Sequence, residues 1–289
     1  MNDYDIIVVG SGPAGISAAI YAARARMKTL VIGAGDGSLA KAEKIENYYG
    51  LPEPVHGTKL LEDGRAQASR LGAELAAGQV VSLGFDGAFT VSAEGAEYRG
   101  GALVLATGSS RTAPKIANYF DYEGRGVSYC AVCDAFFYRG KDIAVLGCCE
   151  YALHETQELL PIVGSVTLLT NGAEPIPSFP PEVRIVTQKI AALEGEGKLE
   201  RVRLADGSAV DAAGLFVAIG VAGSSDLARK LGAQTEGMRI VVDENMATNL
   251  PGLFAAGDCT GGMMQIAKAV YEGAKAGTEA VRFVRASRA

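Results

Sequence analysis

The spacing of hydrophobic and polar positions at the start of the chain changes between two periods. Residues 4–9 form a short apolar run rich in β-branched side chains, which predicts a buried strand. After a glycine-rich turn, residues 16–26 are rich in alanine with helical periodicity, and residues 29–32 form a second apolar run. This order predicts a strand–helix–strand unit at the beginning of an α/β domain.

The same pattern begins again in the middle of the chain, as a degenerate internal repeat. Its strand, helix and next strand are predicted over residues 142–146, 150–160 and 166–170. Elsewhere the patterns predict helices over residues 59–76 and about 265–284, and strands over residues 80–91, 97–107, 183–186, 202–204 and 213–219. We therefore expect an α/β fold of two Rossmann-like three-layer domains.

The position of the repeat indicates how the two domains are connected. No low-complexity linker divides the chain. We expect a first domain in two segments, residues 1–112 and 245–289, with a second domain, residues 113–244, inserted between them. The 289 residues, 48% of them hydrophobic, are enough for two such domains.

Charge and hydropathy exclude several classes of function. The formal net charge of −6 argues against a nucleic-acid partner, since phosphate binding needs a basic face. No apolar run approaches the roughly 18–20 residues that a bilayer span requires. The N-terminus leads into the first predicted strand without the pattern of a secretory signal. We expect a soluble cytoplasmic protein that binds neither nucleic acid nor membrane.

A glycine motif stands between the first predicted strand and helix. Gly10 permits a tight turn, Gly12 lets a pyrophosphate approach the backbone, and Gly15 allows close helix–strand packing. A structural glycine turn is the alternative, but the place after a strand favours a dinucleotide site. The acidic residue expected at the end of the second strand is absent, and Asp36 comes close but late.

A second candidate binding element lies near the C-terminus, where Ala-Ala-Gly precedes Asp258. An aspartate at the end of a buried strand can face the polar ribityl and pyrophosphate region of a flavin. It can also simply cap the next helix. The glycine motif at the other end of the chain favours the binding interpretation.

Cys130 and Cys133 form a C-x-x-C pair followed at once by Asp134. Such a pair can close a disulfide and exchange it with another protein, because the thiolate of one cysteine attacks and the other resolves the mixed disulfide. A metal site is not expected. The chain has five cysteines, no second C-x-x-C, and only His56 and His154 as histidines, whereas a zinc site needs about four ligands.

Together these segments resemble the low-molecular-weight thioredoxin reductase family. The similar segments are, in order, residues 10–24, 45–50, 106–108, 130–134 and 248–258. The resemblance implies a homodimer in which an FAD-binding domain carries an inserted domain that normally binds NADPH and bears the dithiol. It also implies that Cys133 is the thiol beside the flavin, that Cys130 attacks the partner's disulfide, and that Asp134 moves protons.

The resemblance also implies a set of residues for FAD. They are Gly10, Gly12, Pro13, Ala14, Gly15, Asn47, Thr107, Gly108, Gly257, Asp258, Gln265 and Ile266. One departure lies here: many members carry Arg-Gln-Ala after the Gly-Asp motif, whereas this chain has Met264 before Gln265 and Ile266. Gln265 can still contact the flavin, and the charge of this neighbourhood stays open.

The second glycine turn departs further from the family. Cys149 stands at the second glycine position, where a side chain obstructs a pyrophosphate. After the next predicted strand no Arg or Lys follows until Arg184, so a 2′-phosphate lacks an evident partner, and no acid there suggests NAD instead. Cys148 and Cys149 are interpreted as packing residues, because adjacent cysteines close a disulfide only with strain.

A loss confined to the nicotinamide site suggests another electron donor. The chain is similar to the ferredoxin-dependent flavin thioredoxin reductases, which lack the NADPH signatures and have a redox motif like residues 130–138. That resemblance implies electron flow from reduced ferredoxin through FAD and the dithiol to thioredoxin. Lys41, Lys44, Lys59 and Arg65 could belong to a basic face for an acidic ferredoxin, although ordinary solvated surface is the favoured interpretation.

Three alternatives stay open. The protein could be a flavin dithiol oxidase that passes electrons from a small dithiol to oxygen. It could also be an NAD(P)H-dependent thioredoxin reductase with an atypical pocket. The third alternative, a non-catalytic flavoprotein redox sensor, is disfavoured by the intact dithiol.

Overall fold

The structure is a computed structural model that describes residues 2–108, 114–129, 131–219 and 223–288, without the side chains of Asn2, Val132 and Cys133. The helices are α1 (Pro13–Arg24), α2 (Gly57–Arg70), α3 (Ala131–Asp134), α4 (Glu150–Leu159), α5 (Ser224–Lys230) and α6 (Ile266–Ala286). The strands are β1 (Asn2–Val9), β2 (Thr29–Gly33), β3 (Glu74–Ala77), β4 (Val80–Phe85), β5 (Phe89–Ala93), β6 (Ala96–Leu105), β7 (Val127–Ser128), β8 (Asp142–Leu146), β9 (Ser165–Leu169), β10 (Arg184–Val186), β11 (Ile190–Glu194), β12 (Arg201–Leu204), β13 (Ala209–Asp211), β14 (Leu215–Val217), β15 (Thr235–Glu236), β16 (Arg239–Ile240) and β17 (Leu253–Ala255).

Two compact units make up the chain. The first unit comprises residues 1–110 and 223–289, and the second unit comprises residues 111–222. The sequence pattern placed the second boundary at residue 245, whereas the contacts place residues 223–244 in the first unit. The reason is local: α5 begins with Ser224, which is buried and whose hydroxyl donates to the carbonyl oxygen of Gly108 at 3.2 Å.

The first unit is built on a seven-stranded sheet. Its parallel part runs in the order β3, β2, β1, β6, with β17 parallel to the C-terminal half of β6. The hairpin of β4 and β5 lies antiparallel beside the N-terminal half of β6. Ile6, Ile7 and Val8 in β1 are fully buried, as expected for a central parallel strand. This sheet and the parallel sheet of the second unit confirm an α/β fold with Rossmann-like sheets.

Two sequence-based elements of the first unit are wrong in type or extent. The helix expected over residues 59–76 ends at Arg70, because Gly72 adopts φ +100° and the backbone N–H of Ala73 turns back to Ala68. Residues 74–77 then form β3. The single strand expected over residues 80–91 is the hairpin of β4 and β5, which reverses where the N–H of Asp86 bonds the carbonyl of Ala88.

Helices α1 and α6 pack against each other at backbone distance in the core of the first unit. A Cβ on Gly273 would lie 2.0 Å from the carbonyl oxygen of Ala14, and one on Gly277 would lie 2.4 Å from that of Ala18. The glycines therefore allow α6 to touch the α1 backbone directly. Ala18, Ala22, Ala276 and Ala280 are fully buried in the same cluster.

The second unit contains a five-stranded parallel sheet in the order β10, β9, β8, β14, β7. An antiparallel sheet of β11, β12 and β13 accompanies it. The predicted repeat over β8, α4 and β9 is present within one residue at each end. The patterns missed β11 and β13, which are only five and three residues long and do not alternate between apolar and polar positions.

Candidate functional site

The glycine turn between β1 and α1 is tightly packed on its inner side. The backbone N–H of Gly10 donates to the carbonyl of Ile32 at 2.7 Å, and a Cβ on Gly10 would lie 2.2 Å from the carbonyl oxygen of Ala106. A Cβ on Gly15 would lie 1.8 Å from the carbonyl oxygen of Gly10. By contrast, a Cβ on Gly12 would meet no atom within 4 Å. The turn is therefore open at Gly12, at the N-terminus of α1, where a phosphate can approach the backbone.

Three parallel strands end beside this turn. Val9 of β1 and Ala255 of β17 both pair with Leu105, one on each side of β6. The residues after β17 also reach the start of α1, since a Cβ on Gly257 would lie 2.9 Å from the Cβ of Ala14. The glycine motif, the segment of Thr107 and Gly108, and the segment of Gly257 and Asp258 thus meet at the carboxyl edge of one sheet, where ligands bind in such folds.

The remaining predicted cofactor residues lie at the start of α6. The Asn47 Nδ2 donates to Gln265 Oε1 at 3.0 Å, although the two residues are 218 positions apart. Ile266 opens α6 and, with Gly12 and Pro13, lines a cavity of about 360 Å³ between α1, α2 and α6. Every residue that the resemblance assigned to FAD is therefore part of the first unit.

Arg65 on α2 also reaches the glycine turn. Its Nη2 donates to Ser11 Oγ at 3.1 Å and to the carbonyl of Gly35 at 3.2 Å, while its Nη1 lies 2.7 Å from Asp36 Oδ1. The sequence pattern treated Arg65 as surface and Asp36 as a misplaced acid. Because Ser11 and Arg65 are 54 positions apart, no local signal links them. The structure places a cation beside the turn, where it favours a bound pyrophosphate.

The redox segment is described in part. Cys130 lies outside the described residues, as does the side chain of Cys133. Asp134 is described, and its Oδ2 accepts a hydrogen bond from Ser128 Oγ at 2.6 Å. Burial, with a smaller effect of the Asp134 charge, raises the pKa of Tyr138. The predicted proton-transfer residue therefore has an oriented carboxylate, and it directly follows Cys133 in the chain.

Glu155 is a buried carboxylate that the sequence pattern did not single out. Its Oε2 accepts a hydrogen bond at 2.7 Å from the backbone N–H of Ala131, the residue that directly follows Cys130. Tyr151, one turn earlier on α4, donates from its hydroxyl to the carbonyl of Tyr129 at 3.3 Å. A glutamate on the apolar face of α4, four residues after a buried tyrosine, was the available signal.

The second glycine turn, after β8, differs from the first. A Cβ on Gly147 would lie 2.3 Å from the carbonyl oxygen of Ala218, so this glycine is needed for packing. Cys149 is the N-cap of α4 and offers no side-chain cap. The carbonyl oxygen of Cys148 accepts a hydrogen bond from the backbone N–H of Ile176 at 2.8 Å, so the loop after β9 is attached to this turn. Burial, then the neighbouring Cys149, raises the pKa of the Cys148 thiol.

One cation near this second turn was not considered in the sequence pattern. The structure brings Lys189 to the end of β9, since a Cβ on Gly172 would lie 3.1 Å from Lys189 Cγ. A cation therefore lies near the end of β9, although Lys189 comes after Arg184 in the chain. Asn171, the other polar residue at this strand end, is engaged, because its Oδ1 accepts from the backbone N–H of Ile190 at 2.8 Å.

Among the described residues, no group of three or more His, Cys, Asp or Glu side chains could hold a metal ion. None of the described helices is both long and apolar enough to cross a membrane.

Comparison with known proteins gives a consistent result. Residues 4–273 match the family described as pyridine nucleotide-disulphide oxidoreductase. The chain belongs to this family. The thioredoxin reductase of Aquifex aeolicus is 37% identical over 276 residues, which are 88% of this chain and 85% of the relative.

Two solved structures of the family bear on the departures seen in the second unit. The atypical thioredoxin reductase TRi from Desulfovibrio vulgaris Hildenborough is 43% identical, with a TM-score of 0.90 and 98% of each chain covered. A ferredoxin-flavin thioredoxin reductase from Clostridium acetobutylicum is 31% identical, with a TM-score of 0.73 and 99% of each chain covered.

Membership in the family implies FAD, and the first unit fits this group. The backbone is open at Gly12, a cation stands beside the turn at Arg65, and Asp258 follows a buried strand end at the same edge of the sheet. These are the requirements of a dinucleotide: an exposed helix N-terminus, positive charge for the pyrophosphate and a polar group for the sugar.

Proposed function

We propose that this chain is a cytoplasmic, homodimeric flavoprotein disulfide reductase. It takes electrons from reduced ferredoxin and, through FAD and the Cys130–Cys133 dithiol, reduces the disulfide of thioredoxin. The observation that carries the proposal is the contrast between the two glycine turns. The turn at Gly12 is open, whereas the turn at Cys148 is bonded by the loop at Ile176.

The residues that would hold FAD are those gathered at the edge of the first sheet. Gly12 would leave its backbone to the pyrophosphate, Asp258 would face the sugar chain, and Asn47 and Gln265 would present their linked amides to the flavin. When bound, FAD supplies the exchange between single electrons and electron pairs, which no side chain of this protein can perform. A one-electron donor such as ferredoxin requires that exchange, because a disulfide takes up two electrons.

The dithiol chemistry follows from the order of the residues. The Cys130 thiolate would attack one sulfur of the thioredoxin disulfide, forming a mixed disulfide and releasing one thioredoxin thiolate. The Cys133 thiolate would then attack Cys130, forming the Cys130–Cys133 disulfide and releasing the second thiolate. Asp134, held by Ser128, would take up and return the protons of these steps.

The glycine turn between β8 and α4 argues against NADPH as the electron donor. A pyrophosphate needs an accessible helix N-terminus, but the α4 N-terminus follows Cys149 and its preceding carbonyl is bonded to the loop at Ile176. A structural relative at 31% identity is described as a ferredoxin-flavin thioredoxin reductase, and the relative at 43% identity as an atypical thioredoxin reductase. The first of these descriptions names ferredoxin and so supports a donor other than NADPH, whereas the second names no donor.

The ferredoxin proposal does not depend on the cations considered in the sequence. Lys44 is paired with Glu46 at 2.8 Å and Arg65 with Asp36 at 2.7 Å, and Lys59 is paired with Asp63. Acidic partners reduce the positive field of all three side chains. Lys44, Lys59 and Arg65 therefore add no support to the proposal of a basic face for ferredoxin.

The surface formed by the residues that follow the C-x-x-C motif in the chain suits a protein substrate. Phe136 and Phe137 follow Cys133 by three and four residues, and they are 69% and 70% exposed. The Arg139 guanidinium lies 5.1 Å from the Phe136 ring centre. Two neighbouring exposed aromatic side chains with a cation are typical of a binding surface for another protein. This surface supports thioredoxin as the substrate.

One observation favours a second candidate, an NAD(P)H-dependent reductase with an atypical pocket. Lys189 lies beside Gly172 at the end of β9, where a 2′-phosphate would be bound. This candidate requires the loop at Ile176 to leave Cys148. It therefore predicts reduction by NADPH, which the leading proposal does not.

Anaerobic bleaching of the flavin absorbance tests the two candidates. Purified protein is mixed either with NADPH or with enzymatically reduced ferredoxin, and oxidised thioredoxin is then added. Bleaching by ferredoxin alone, with recovery of the colour on adding thioredoxin, supports the proposal. Rapid bleaching by micromolar NADPH contradicts it and favours the second candidate. If a small dithiol bleaches the flavin and oxygen restores it, a dithiol oxidase replaces both.

A further inference from the structure

A buried ion pair on α6 holds both sides of Gly257. Glu272 Oε2 accepts a hydrogen bond from the Gly257 N–H at 2.8 Å, and Lys268 Nζ donates to the Gly257 carbonyl at 2.7 Å. The two side chains are 2.9 Å apart and only 14% and 12% exposed. Gly257 has φ +85°, a conformation that favours glycine. The pair therefore fixes the peptide units on either side of a left-handed residue.

The same pair also holds the rest of the turn that contains Asp258. Lys268 Nζ donates to Thr260 Oγ1 at 2.9 Å and to the Gly261 carbonyl at 2.5 Å. Thr260 Oγ1 lies 2.8 Å from the Gly257 carbonyl and 2.9 Å from Glu272 Oε2. Asp258 therefore lies between Gly257 and Gly261, whose backbone groups are bound by the Lys268 ammonium and the Glu272 carboxylate.

The helix itself does not account for these two charges. Lys268 is in the first turn of α6, where the helix dipole disfavours a cation. A lysine four residues before a glutamate is also the less favourable orientation of such a pair on a helix. Burying two charges costs free energy that the attraction between them often fails to offset. The interactions that can offset this cost are the hydrogen bonds of Lys268 and Glu272 with the turn.

The pair also bears on the local charge around Met264, which the sequence left open. Met264, at the position of the family's arginine, is 62% exposed, and a cation appears instead at Lys268, one helical turn later. This cation is neutralised by Glu272 and points at the backbone of the turn. Its role is therefore to position the turn, since the pair adds no net charge.

We propose that Lys268 and Glu272 are positioning residues that hold the Gly257–Asp258 turn in the conformation that binds FAD. This inference rests on the proposed function, because it assumes that FAD binds at this edge of the sheet. If the pair had a purely structural role, its removal would lower the stability of the apoprotein and the affinity for FAD together. If the pair positions the turn, the two properties can change separately.

Titration of the apoprotein with FAD, together with thermal unfolding of the apoprotein, tests the proposal. K268M leaves a buried carboxylate unpaired, so we expect a loss of both stability and FAD affinity. The double variant K268M/E272L removes both charges, so we expect the unfolding temperature of the apoprotein to return near the wild-type value. FAD binding should nevertheless stay at least about tenfold weaker. K275M changes another lysine of α6, for which the described residues show no ion pair, and is the matched control.

The outcomes distinguish this proposal from the one on which it rests. Wild-type apoprotein that takes up no FAD contradicts both. Normal FAD uptake by wild type, with uptake by K268M/E272L within about twofold of it, contradicts only the role of the pair. A double variant that recovers neither stability nor FAD affinity shows that the pair maintains the fold in general, which also contradicts the positioning role.

Discussion

The backbone N–H of Ile176 lies 2.8 Å from the carbonyl oxygen of Cys148, and this contact attaches the loop after β9 to the second glycine turn. The second turn therefore differs from the first in two ways, the cysteine at residue 149 and the backbone hydrogen bond from Ile176. Removing the first does not remove the second, and the two can be tested separately.

Restoring the glycine at residue 149 should leave the protein unable to use NADPH. C149G removes the side chain at the second glycine position, but the hydrogen bond that attaches the loop at Ile176 to the Cys148 carbonyl remains. We expect no rapid bleaching of the flavin at micromolar NADPH in stopped-flow measurements, while reduction by ferredoxin stays as in wild type. NADPH-dependent bleaching in C149G would show that the cysteine side chain alone closes the site.

The carboxylate of Asp134 should be needed for disulfide exchange. D134N keeps the shape of the side chain and can keep the contact with Ser128, but it cannot take up a proton. We expect thioredoxin reduction to fall by about 10²-fold, the usual range for a general acid–base group, with flavin reduction by ferredoxin unchanged.

A second aspartate of the same unit provides the control. Asp142 Oδ1 also accepts a serine hydroxyl, from Ser165 at 2.6 Å, but Asp142 begins β8 and is not part of the redox motif. D142N should retain wild-type turnover. Equal turnover of D134N and D142N would remove Asp134 from the mechanism.

The exposed rings of Phe136 and Phe137 should contribute to binding of the protein substrate. F136A/F137A removes two large exposed rings without disturbing the core, so we expect the KM for thioredoxin to rise about tenfold with little change in kcat. F120A, which truncates another exposed ring of the second unit, is the control. A KM that does not change in the double variant argues against this docking surface.

Cys259 should make stability depend on pH in the alkaline range. Burial raises the pKa of its thiol to about 11, from an ordinary value of 9.0. The folded state therefore favours the neutral thiol: this contribution is complete below about pH 9 and is lost as the pH rises through 11. A shift of about two units corresponds to about 2–3 kcal/mol.

Comparing wild type with C259A isolates this effect from other groups that titrate in the same range. We expect the free energy of unfolding of wild type to fall more steeply than that of C259A between about pH 9 and 11. Parallel curves for the two proteins would show that the Cys259 thiol ionises in the folded state as readily as in the unfolded chain.

Arg65 should strengthen FAD binding at the glycine turn. R65M removes the donors to Ser11 Oγ and the Gly35 carbonyl and leaves Asp36 unpaired beside the expected pyrophosphate. We expect about tenfold weaker binding of FAD to the apoprotein, and weaker dependence of that binding on salt. R70M, an exposed arginine at the end of the same helix, should bind as wild type. If R65M and R70M bind FAD equally, Arg65 has no part in the site.

Local patterns in the sequence predicted those parts of the fold that depend on neighbouring residues. The β1–α1–β2 unit, its repeat over β8, α4 and β9, and α6 all have a clear period and punctuation by glycine. The pattern did not separate α2 from β3, because Glu74–Ala77 continues a helix-compatible composition and only the turn at Gly72 ends the helix.

The site residues also divide into those that neighbouring residues in the sequence reveal and those that depend on distant parts of the chain. The glycine motif and the C-x-x-C motif are contiguous, so the sequence displays them directly. The contacts of Arg65 with Ser11, of Asn47 with Gln265 and of Lys189 with Gly172 join residues far apart in the chain or hidden by a turn. A single sequence does not show which of its distant residues come into contact, because these pairs form only when the sheet brings strand ends together.

The close contact of α6 with α1 has a consequence for the synthesis of the protein. The glycine turn is made within the first 15 residues, but Gly257, Gln265 and the glycines that meet the α1 backbone come after residue 252. The nascent chain must therefore keep α1 and its apolar face without their final neighbour until Ile266 and the rest of α6 have left the ribosome. A dinucleotide can then bind at this edge of the sheet only after α6 has been synthesised, and a chain interrupted before α6 would leave the apolar face of α1 exposed as a target for proteolysis.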